Sequence, residues 1–491
     1  MRNEAWRPSV HFTPDRNWIN DPNGLVWFDG EYHLFYQHNP FGNDWGHMSW
    51  GHAVSNDLLH WHELPVAIAE DERVSIFSGS VVVDEHDTSG LAGPGQTALV
   101  AAYTGCLRQP TGGQAQEIAY STDRGRSFTP YADNPVVDLG LRDFRDPKVF
   151  WHAPSARWVM AVVLPDEHQI LFYASTDLKA WRELGRFGPA GEAVGIWECP
   201  DLFEVPIEGE DGRLTGERRW LLKVDSFSGH PGGTGAQVFI GHFDGMRFVE
   251  DRDAAPAPRW VDHGSDFYAA LSWNHLPPSH DRPVWLGWMS NHRYAGKLPT
   301  TPWRGAMSLP RELSLRHTSG GLRLVQRPLA ALAGLRAEPI DRAPSSLHDE
   351  RIELPVRGRA LELQFSIASL SAGEAGLEVL CGEGQATRVG YDAEAQAVFI
   401  DRSRSGTVPE GDAHFAGRRL APVRPPSPDR PLDLQLFVDA GSVELFADKG
   451  LALITELVLP AAGHDGVAAF ASGGRAAFGT TTAWPLARCM P

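Results

Sequence analysis

The stretch Trp18-Ile-Asn-Asp-Pro-Asn-Gly24, followed by the apolar run Leu25-Val-Trp-Phe28, decides how the rest of this chain is read. Asn-Gly after Pro reads as a tight turn, because Gly supplies positive φ and Pro presets its own φ. Asp21 would then be a carboxylate held rigidly beside a Trp and aimed into a pocket. The alternative is that Asp21 merely caps its own turn through the side chain. Other acids along the chain bear on that choice.

Outward from this stretch, residues 25 to 313 alternate strand and turn with hardly a helical period. Strand candidates include Glu31–His38, Ser80–Asp84, Thr97–Tyr103, Lys148–Trp151, Trp158–Leu164 and Ile170–Ala174. A short motif recurs between them: Ser55-Asn-Asp57-Leu-Leu-His-Trp61, Ser121-Thr-Asp123-Arg-Gly-Arg-Ser-Phe128, Ser175-Thr-Asp177-Leu-Lys-Ala-Trp181 and, more faintly, Phe243-Asp-Gly-Met-Arg-Phe248. The serines stand 66 and 54 residues apart. A period of roughly 50 residues, with several antiparallel strands per unit, is the mark of propeller blades. About five such units fit before residue 315. Ordinary hairpin turns in a sandwich are the alternative.

A chain of 491 residues exceeds what one core supports, so two domains are expected. Residues 1–318 form the predicted five-bladed β-propeller and 319–350 a linker with Pro328, an Ala/Leu patch, Pro339 and Pro344. Residues 351–491 form a β-sandwich, whose strand runs include Leu361–Phe365, Gly376–Leu380, Leu432–Val438, Ser442–Phe446 and Gly466–Phe470. The fold class is thus all-β. A formal charge of −18 argues against a nucleic-acid partner, which needs a basic footprint, and suits a neutral substrate. The cysteines, Cys106, Cys199, Cys381 and Cys489, are too sparse for a disulfide framework and lack zinc spacing. Met1–Pro8 has no apolar leader segment and no run reaches the length of a membrane span. The expectation is a cytoplasmic protein without a membrane partner, or a secreted one if a leader has been removed. It would be a monomer or a homo-oligomer through the sandwich.

Two more acids occupy unusual settings. Asp146 sits in Asp143-Phe-Arg-Asp-Pro147 and Glu198 in Ile196-Trp-Glu-Cys-Pro-Asp-Leu-Phe203. Arg145 should keep Asp146 ionised, whereas apolar company should raise the Glu198 pKa. Carboxyls pushed apart in this way suggest a proton donor and a nucleophile. Glycoside cleavage with retention requires that division, with the groups about 5–5.5 Å apart. Singly, Asp146 would be a plain ion pair and Glu198 a hydrogen-bonded buried acid.

With these three motifs in order, the sequence resembles glycoside hydrolase family 32, the invertases, levanases and inulinases. The resemblance extends through Phe35-Tyr-Gln-His-Asn-Pro40, Trp45-Gly46, Trp50-Gly-His-Ala53, Phe77-Ser-Gly-Ser80, Asp266-Phe-Tyr-Ala269, Trp285–Ser290, Pro302-Trp-Arg304 and Leu309–Leu313. Ile19 stands where that family often has Met, a volume-conserving change. The resemblance implies Asp21 as nucleophile toward a β-fructofuranosyl unit, Glu198 as general acid/base and Asp146 as transition-state stabiliser. It implies Asn20, Gln37, Trp45, Phe77, Ser78, Arg145 and Trp303 around the fructosyl unit, though simple packing would also explain Trp45 and Trp303. It requires no metal and no cofactor. The wording around the motifs is similar to bacterial levanases and exo-inulinases, implying an exo-acting β-fructofuranosidase for sucrose, fructo-oligosaccharides, inulin or levan. Sucrose-6-phosphate hydrolysis and transfructosylation are alternatives within the family. Outside it stand a sialidase, suggested by the Ser121–Phe128 turn, and a non-catalytic carbohydrate-binding propeller.

Overall fold

Five antiparallel blades follow one another along the first two thirds of the chain, the fourth and fifth joined into one eight-stranded sheet, in a computed structural model that describes residues 4–108, 112–251 and 259–490. Blade 1 comprises Asn17–Phe28, Glu31–Asn39, Ser49–Ser55 and His62–Ile68. Blade 2 runs Val74–Asp84, Ala98–Leu107, Gln114–Ser121 and Thr129–Pro130; blade 3 runs Arg145–His152, Arg157–Leu164, Gln169–Ser175 and Arg182–Phe187. Blade 4 is Trp197–Glu208, Leu214–His230, Gly233–Phe243 and Phe248–Glu250, and blade 5 is Tyr268–Ser272, Val284–Trp288, Arg311–Thr318 and Gly321–Pro328. Trp303–Arg304 pairs in parallel with Asn17 and Trp18 of blade 1, and Ile207 of blade 4 pairs with Leu315 of blade 5. The predicted five-bladed propeller is therefore present.

The recurring Ser-x-Asp turns fall at one place in each of the first three blades, the exit of the third strand. In each, the Ser hydroxyl bonds the Asp carboxylate (3.0 Å at Asp57, 2.7 Å at Asp123, 3.0 Å at Asp177), which in turn accepts backbone N–H groups of the following turn. These are side-chain-capped turns, and the repeat they mark is the blade period.

The apolar layers between blades are filled by alternate strand residues, for example Val159, Ala161, Val163, Leu202, Leu222 and Phe239 between blades 3 and 4. The sandwich has its own core, including Leu363, Phe365, Leu377, Val389, Leu436 and Ile454, between layers that share the long strand Gly466–Phe478. A second apolar cluster joins the domains: Phe12 and Leu309 of the propeller pack with Phe437, Phe446 and Leu453 of the sandwich. Buried charge crosses the same boundary. Arg311 of the propeller, itself paired with Asp262 beside it, reaches Glu444 of the sandwich at 2.6 Å, while Arg402 of the sandwich reaches Asp266 of the propeller at 2.8 Å.

Two local expectations differ from the structure. Pro22-Asn-Gly24 is not a turn, because Asn17–Phe28 is one strand interrupted by two bulges. Gly24 has φ +55° there, and a Cβ would lie 2.7 Å from the Phe35 ring, so only Gly fits. The segment read as a linker, 319–350, contains the outermost strand of blade 5, paired from Thr318↔Gly321 to Arg311↔Pro328. It also holds the 3-10 turn Ala330–Leu335 and the first sandwich strands, Ile340–Arg342 and the start of Ser345–Arg357. Pro328 disguised the blade strand, yet it ends an edge strand, where a missing N–H breaks no ladder.

Candidate active site

All five innermost strands carry the same irregularity near their start: two residues oppose one on the neighbouring strand. The pairs are Asn20-Asp21 against Gln37, Phe77-Ser78 against Thr104, Asp146-Pro147 against Val162, Cys199-Pro200 against Val224, and Ala269-Ala270 against Gly287. A bulge adds a residue, bends the strand and re-aims side chains. Asp146, Cys199 and Ala269 adopt positive φ (64°, 47° and 53°), which L side chains enter only under constraint. The three predicted acids thus lie in or beside bulges of blades 1, 3 and 4, at one end of the propeller.

Cys199 joins them. Its backbone N–H donates to Asp146 Oδ2 at 2.9 Å, and its thiol approaches Asp21 Oδ2 at 3.6 Å. Because Cys199 follows Glu198 directly, all three acids meet around one dipeptide. Asp21 is further held by the Ser78 hydroxyl (2.6 Å to Oδ2) and the Asn20 amide (3.0 Å to Oδ1); Asn20 itself accepts the Trp18 indole N–H at 2.7 Å. Arg145 donates to Glu198 Oε1 at 3.0 Å and to Asp143 at 2.9 Å, and the Tyr268 hydroxyl donates to Glu198 Oε2 at 2.6 Å.

The electrostatics reverse the expected assignment of charge. Burial pushes Asp146 up to about 7, a shift opposed by Arg145 and reinforced by the negative Glu198 and Asp21. Burial also works to raise Glu198. There the Arg145 charge, then His292, and hydrogen bonds from Tyr268 and Arg145 outweigh it and bring Glu198 below its ordinary value. Sequence proximity of Arg145 to Asp146 misled, because the guanidinium turns to Glu198: its Nε stands 3.9 Å from Asp146 but Nη2 only 3.0 Å from Glu198. Of the two carboxyls, Asp146 is therefore the one that holds a proton more readily.

The remaining predicted residues are placed unequally. Gln37 is buried opposite the Asn20-Asp21 bulge and donates to the Ile76 carbonyl at 2.9 Å. Trp45 is 59% exposed and meets Phe77 edge-on at 6.1 Å, forming an aromatic rim. Trp303 is buried under the Arg7 guanidinium, 5.0 Å from the ring, and lines an apolar recess with Trp6, Leu298 and Met289. That placement matches its packing alternative. Sequence reasoning assigned no role to Tyr268, His292, Lys223 or Asp225. Lys223 donates to the Cys199 carbonyl at 2.8 Å and to Asp225 at 2.5 Å, beneath the dipeptide. Its only sequence signal is Lys-x-Asp on a strand, which puts both side chains on one face.

Models of the glycosyl hydrolases family 32 N-terminal domain and of the family 32 C-terminal domain match residues 11–328 and 333–485. The chain belongs to glycoside hydrolase family 32. This family 32 chain is 43% identical to the levanase of Bacillus subtilis (strain 168), over 98% of its own length and 71% of that protein. It is 37% identical to the extracellular exo-inulinase of Aspergillus niger, covering 93% of this chain and 90% of that one. The crystal structure of the exo-inulinase from Aspergillus awamori superposes with a TM-score of 0.93 at 35% identity, covering 99% of both chains. Among the described residues, no helix is long and apolar enough to cross a membrane.

Proposed function

We propose that this glycoside hydrolase is a retaining, exo-acting β-fructofuranosidase that removes terminal β-fructofuranosyl units from fructans, fructo-oligosaccharides and sucrose. The observation that carries the reading is the junction at Cys199, where Asp21 and Asp146 both bond the residue that follows Glu198. Asp21 attacks the anomeric carbon of fructose while Glu198 gives its proton to the departing glycosidic oxygen. The Glu198 carboxylate then takes a proton from water, whose oxygen displaces Asp21 and frees fructose. This is the two-step course of retaining glycosidases, in which one carboxyl serves as acid and then as base.

In the resting site Glu198 is the charged member of the pair. Sugar hydroxyls that bond Asp146 favour its ionised form, and the proton it held passes to Glu198. Asp146 thereby holds the sugar and primes the acid together. Ser78 and Asn20 fix the Asp21 carboxylate for in-line attack, and Trp45 with Phe77 offers an apolar rim to the ring. Names of relatives, levanase and exo-inulinase, support fructan as substrate and release from the chain end. The extracellular designation of the Aspergillus protein supports action outside the cell, against the cytoplasmic expectation; activity measured in medium and in lysate decides it.

The test is release of free fructose from sucrose, inulin and levan, with sucrose 6-phosphate as a further arm. Monomeric fructose should be the first product from the polymers, and Asp21→Ala should abolish release while the folded state persists. No release from any of the four substrates overturns the reading, and an active Asp21→Ala variant removes Asp21 from its role.

A further inference from the structure

The innermost strands of all five blades run outward from the carboxylates, so their far ends meet on the opposite face of the propeller. There Val82–His86 and Thr88 of and after the inner strand of blade 2, Phe150, Trp151 and Trp158 of blade 3, and Asn274-His275 after the inner strand of blade 5 line a pocket of about 250 Å³. Trp151 lies five residues along its strand from Asp146, about 16 Å at 3.3 Å per residue. The pocket shares no residue with the catalytic mouth.

Its chemistry is specific. Trp151 is 39% exposed, an unusual state for the largest apolar side chain on an inner strand. Its ring is steadied edge-on by Trp158 at 5.0 Å, and the Trp158 indole N–H is fixed on Thr88 Oγ1 at 2.9 Å. Thr88 in turn bonds buried Asp84, which also accepts the Ser89 N–H, so the wall beside the Trp pair is rigid. Polar groups surround the exposed indole. Glu85 faces His275 at 3.5 Å, His275 stacks on Trp27, and His86 is exposed beside them. The Asn274 amide closes the floor by donating to the carbonyls of Val81 and Val149 in two blades.

An open aromatic plane with carboxylate and imidazole groups at its edge suits a ring that is apolar on its faces and hydroxylated at its rim. None of the lining residues is Lys or Arg, which disfavours phosphate and other anions. The volume is below the roughly 300–1,000 Å³ of drug-sized sites, matching a sugar unit rather than a long oligomer.

We propose that this pocket is a second, non-catalytic saccharide site that takes one uncharged hexosyl unit of a fructan chain, with Trp151 as its stacking platform. The inference rests on the fructan reading of the catalytic site. A polymer held on the far face raises the local concentration of chain ends at the mouth, whereas sucrose gains nothing from it.

The experiment compares the intact protein with Trp151→Ala and with Glu85→Ala, neither of which touches the catalytic cluster. Migration through native gels containing levan reports polymer binding, and initial rates on sucrose report the mouth. Both variants should hydrolyse sucrose at the wild-type rate while binding levan about three- to tenfold more weakly, the scale of one lost stacking or hydrogen-bonding contact. Wild-type levan retardation in both variants overturns the proposal. So does a parallel fall in sucrose turnover, because it would make Trp151 a structural residue. These failures are distinct from failure of the fructan reading itself, which shows as a wild-type protein that releases no fructose from any substrate.

Discussion

Replacing Tyr268 by Phe removes one oxygen from the catalytic cluster and little else. The Tyr268 hydroxyl donates to Glu198 Oε2 at 2.6 Å in a buried setting, and burial holds the phenol well above its ordinary pKa, so it stays a donor. A hydrogen bond to a charged acceptor is worth about 1.5–3 kcal/mol. Because the bond favours the carboxylate, its loss raises the Glu198 pKa by roughly one to two units, at 1.36 kcal/mol per unit. Arg145 still holds the other oxygen, so Glu198 remains in place. The first chemical step needs Glu198 protonated, and once bound substrate has passed the Asp146 proton to Glu198 the alkaline limb of the kcat–pH profile reports loss of that proton. With sucrose as substrate, the limb in Tyr268→Phe should therefore move to higher pH by about one to two units. A profile that superimposes on the wild type would refute the claim that Tyr268 sets the proton affinity of the acid. A fall in rate with no shift in the limb would make the residue only a packing element.

Two further predictions concern buried charge. Lys223→Met should destabilise the fold, since it leaves Asp225 buried without its ammonium partner; burial pushes Asp225 up to about 7 even with Lys223 beside it, and losing that charge pushes it higher still. Both proteins hold the Asp225 proton at pH 5, so the loss read from urea midpoints should grow as pH rises above about 7, by about 1.4 kcal/mol for each unit of added shift, and a pH-independent loss would contradict this. At the domain boundary, burial opposes the charge on His11, but hydrogen bonds to Asp439 and Glu444 raise it to about 9. The group is raised, so its contribution is complete below the unfolded value near 6.5 and is lost as pH rises through about 9, some 3 kcal/mol in all. The gap between wild type and His11→Gln should narrow over that window, and an unchanged gap at pH 9 would rule out a charged His11.

The propeller was legible because its repeat is written in local chemistry. Ser55, Ser121 and Ser175 each cap the same turn with the same hydroxyl–carboxylate bond, so their spacing is the blade spacing. The Gly321–Pro328 strand was not legible, since its partner Arg311–Thr318 precedes it without a repeat marker and its Pro reads locally as a break. In the site, Asp21, Asp146 and Glu198 were found as motifs, but their charge states were not. Sequence adjacency gave Arg145 to Asp146, whereas its guanidinium approaches Glu198 at 3.0 Å and Asp146 only at 3.9 Å. Lys223 and Asp225 matter only through a strand that pairs with Glu198 across the sheet, and no local pattern reports such a partner.

The bulges explain why Pro accompanies the acids. Asp21-Pro22, Asp146-Pro147 and Cys199-Pro200 each set Pro in or directly after the bulge, where the ladder is already interrupted and the missing N–H costs no pairing. At Asp146 and Cys199 the residue before Pro takes positive φ, not the extended conformation that Pro favours for its predecessor, so the backbone is held in a conformation that an unconstrained chain would leave. The strained residues are the ones that touch: the Cys199 N–H bonds the Asp146 carboxylate. A regular strand would send alternate side chains into the interblade layers on either side. The extra residue instead turns the acids of three blades toward one another at the axis, and each sheet beyond its bulge resumes ordinary pairing and fixes that turn. The local defect and the rigid blade are therefore one device, and the carboxylates keep their mutual geometry only while both are intact.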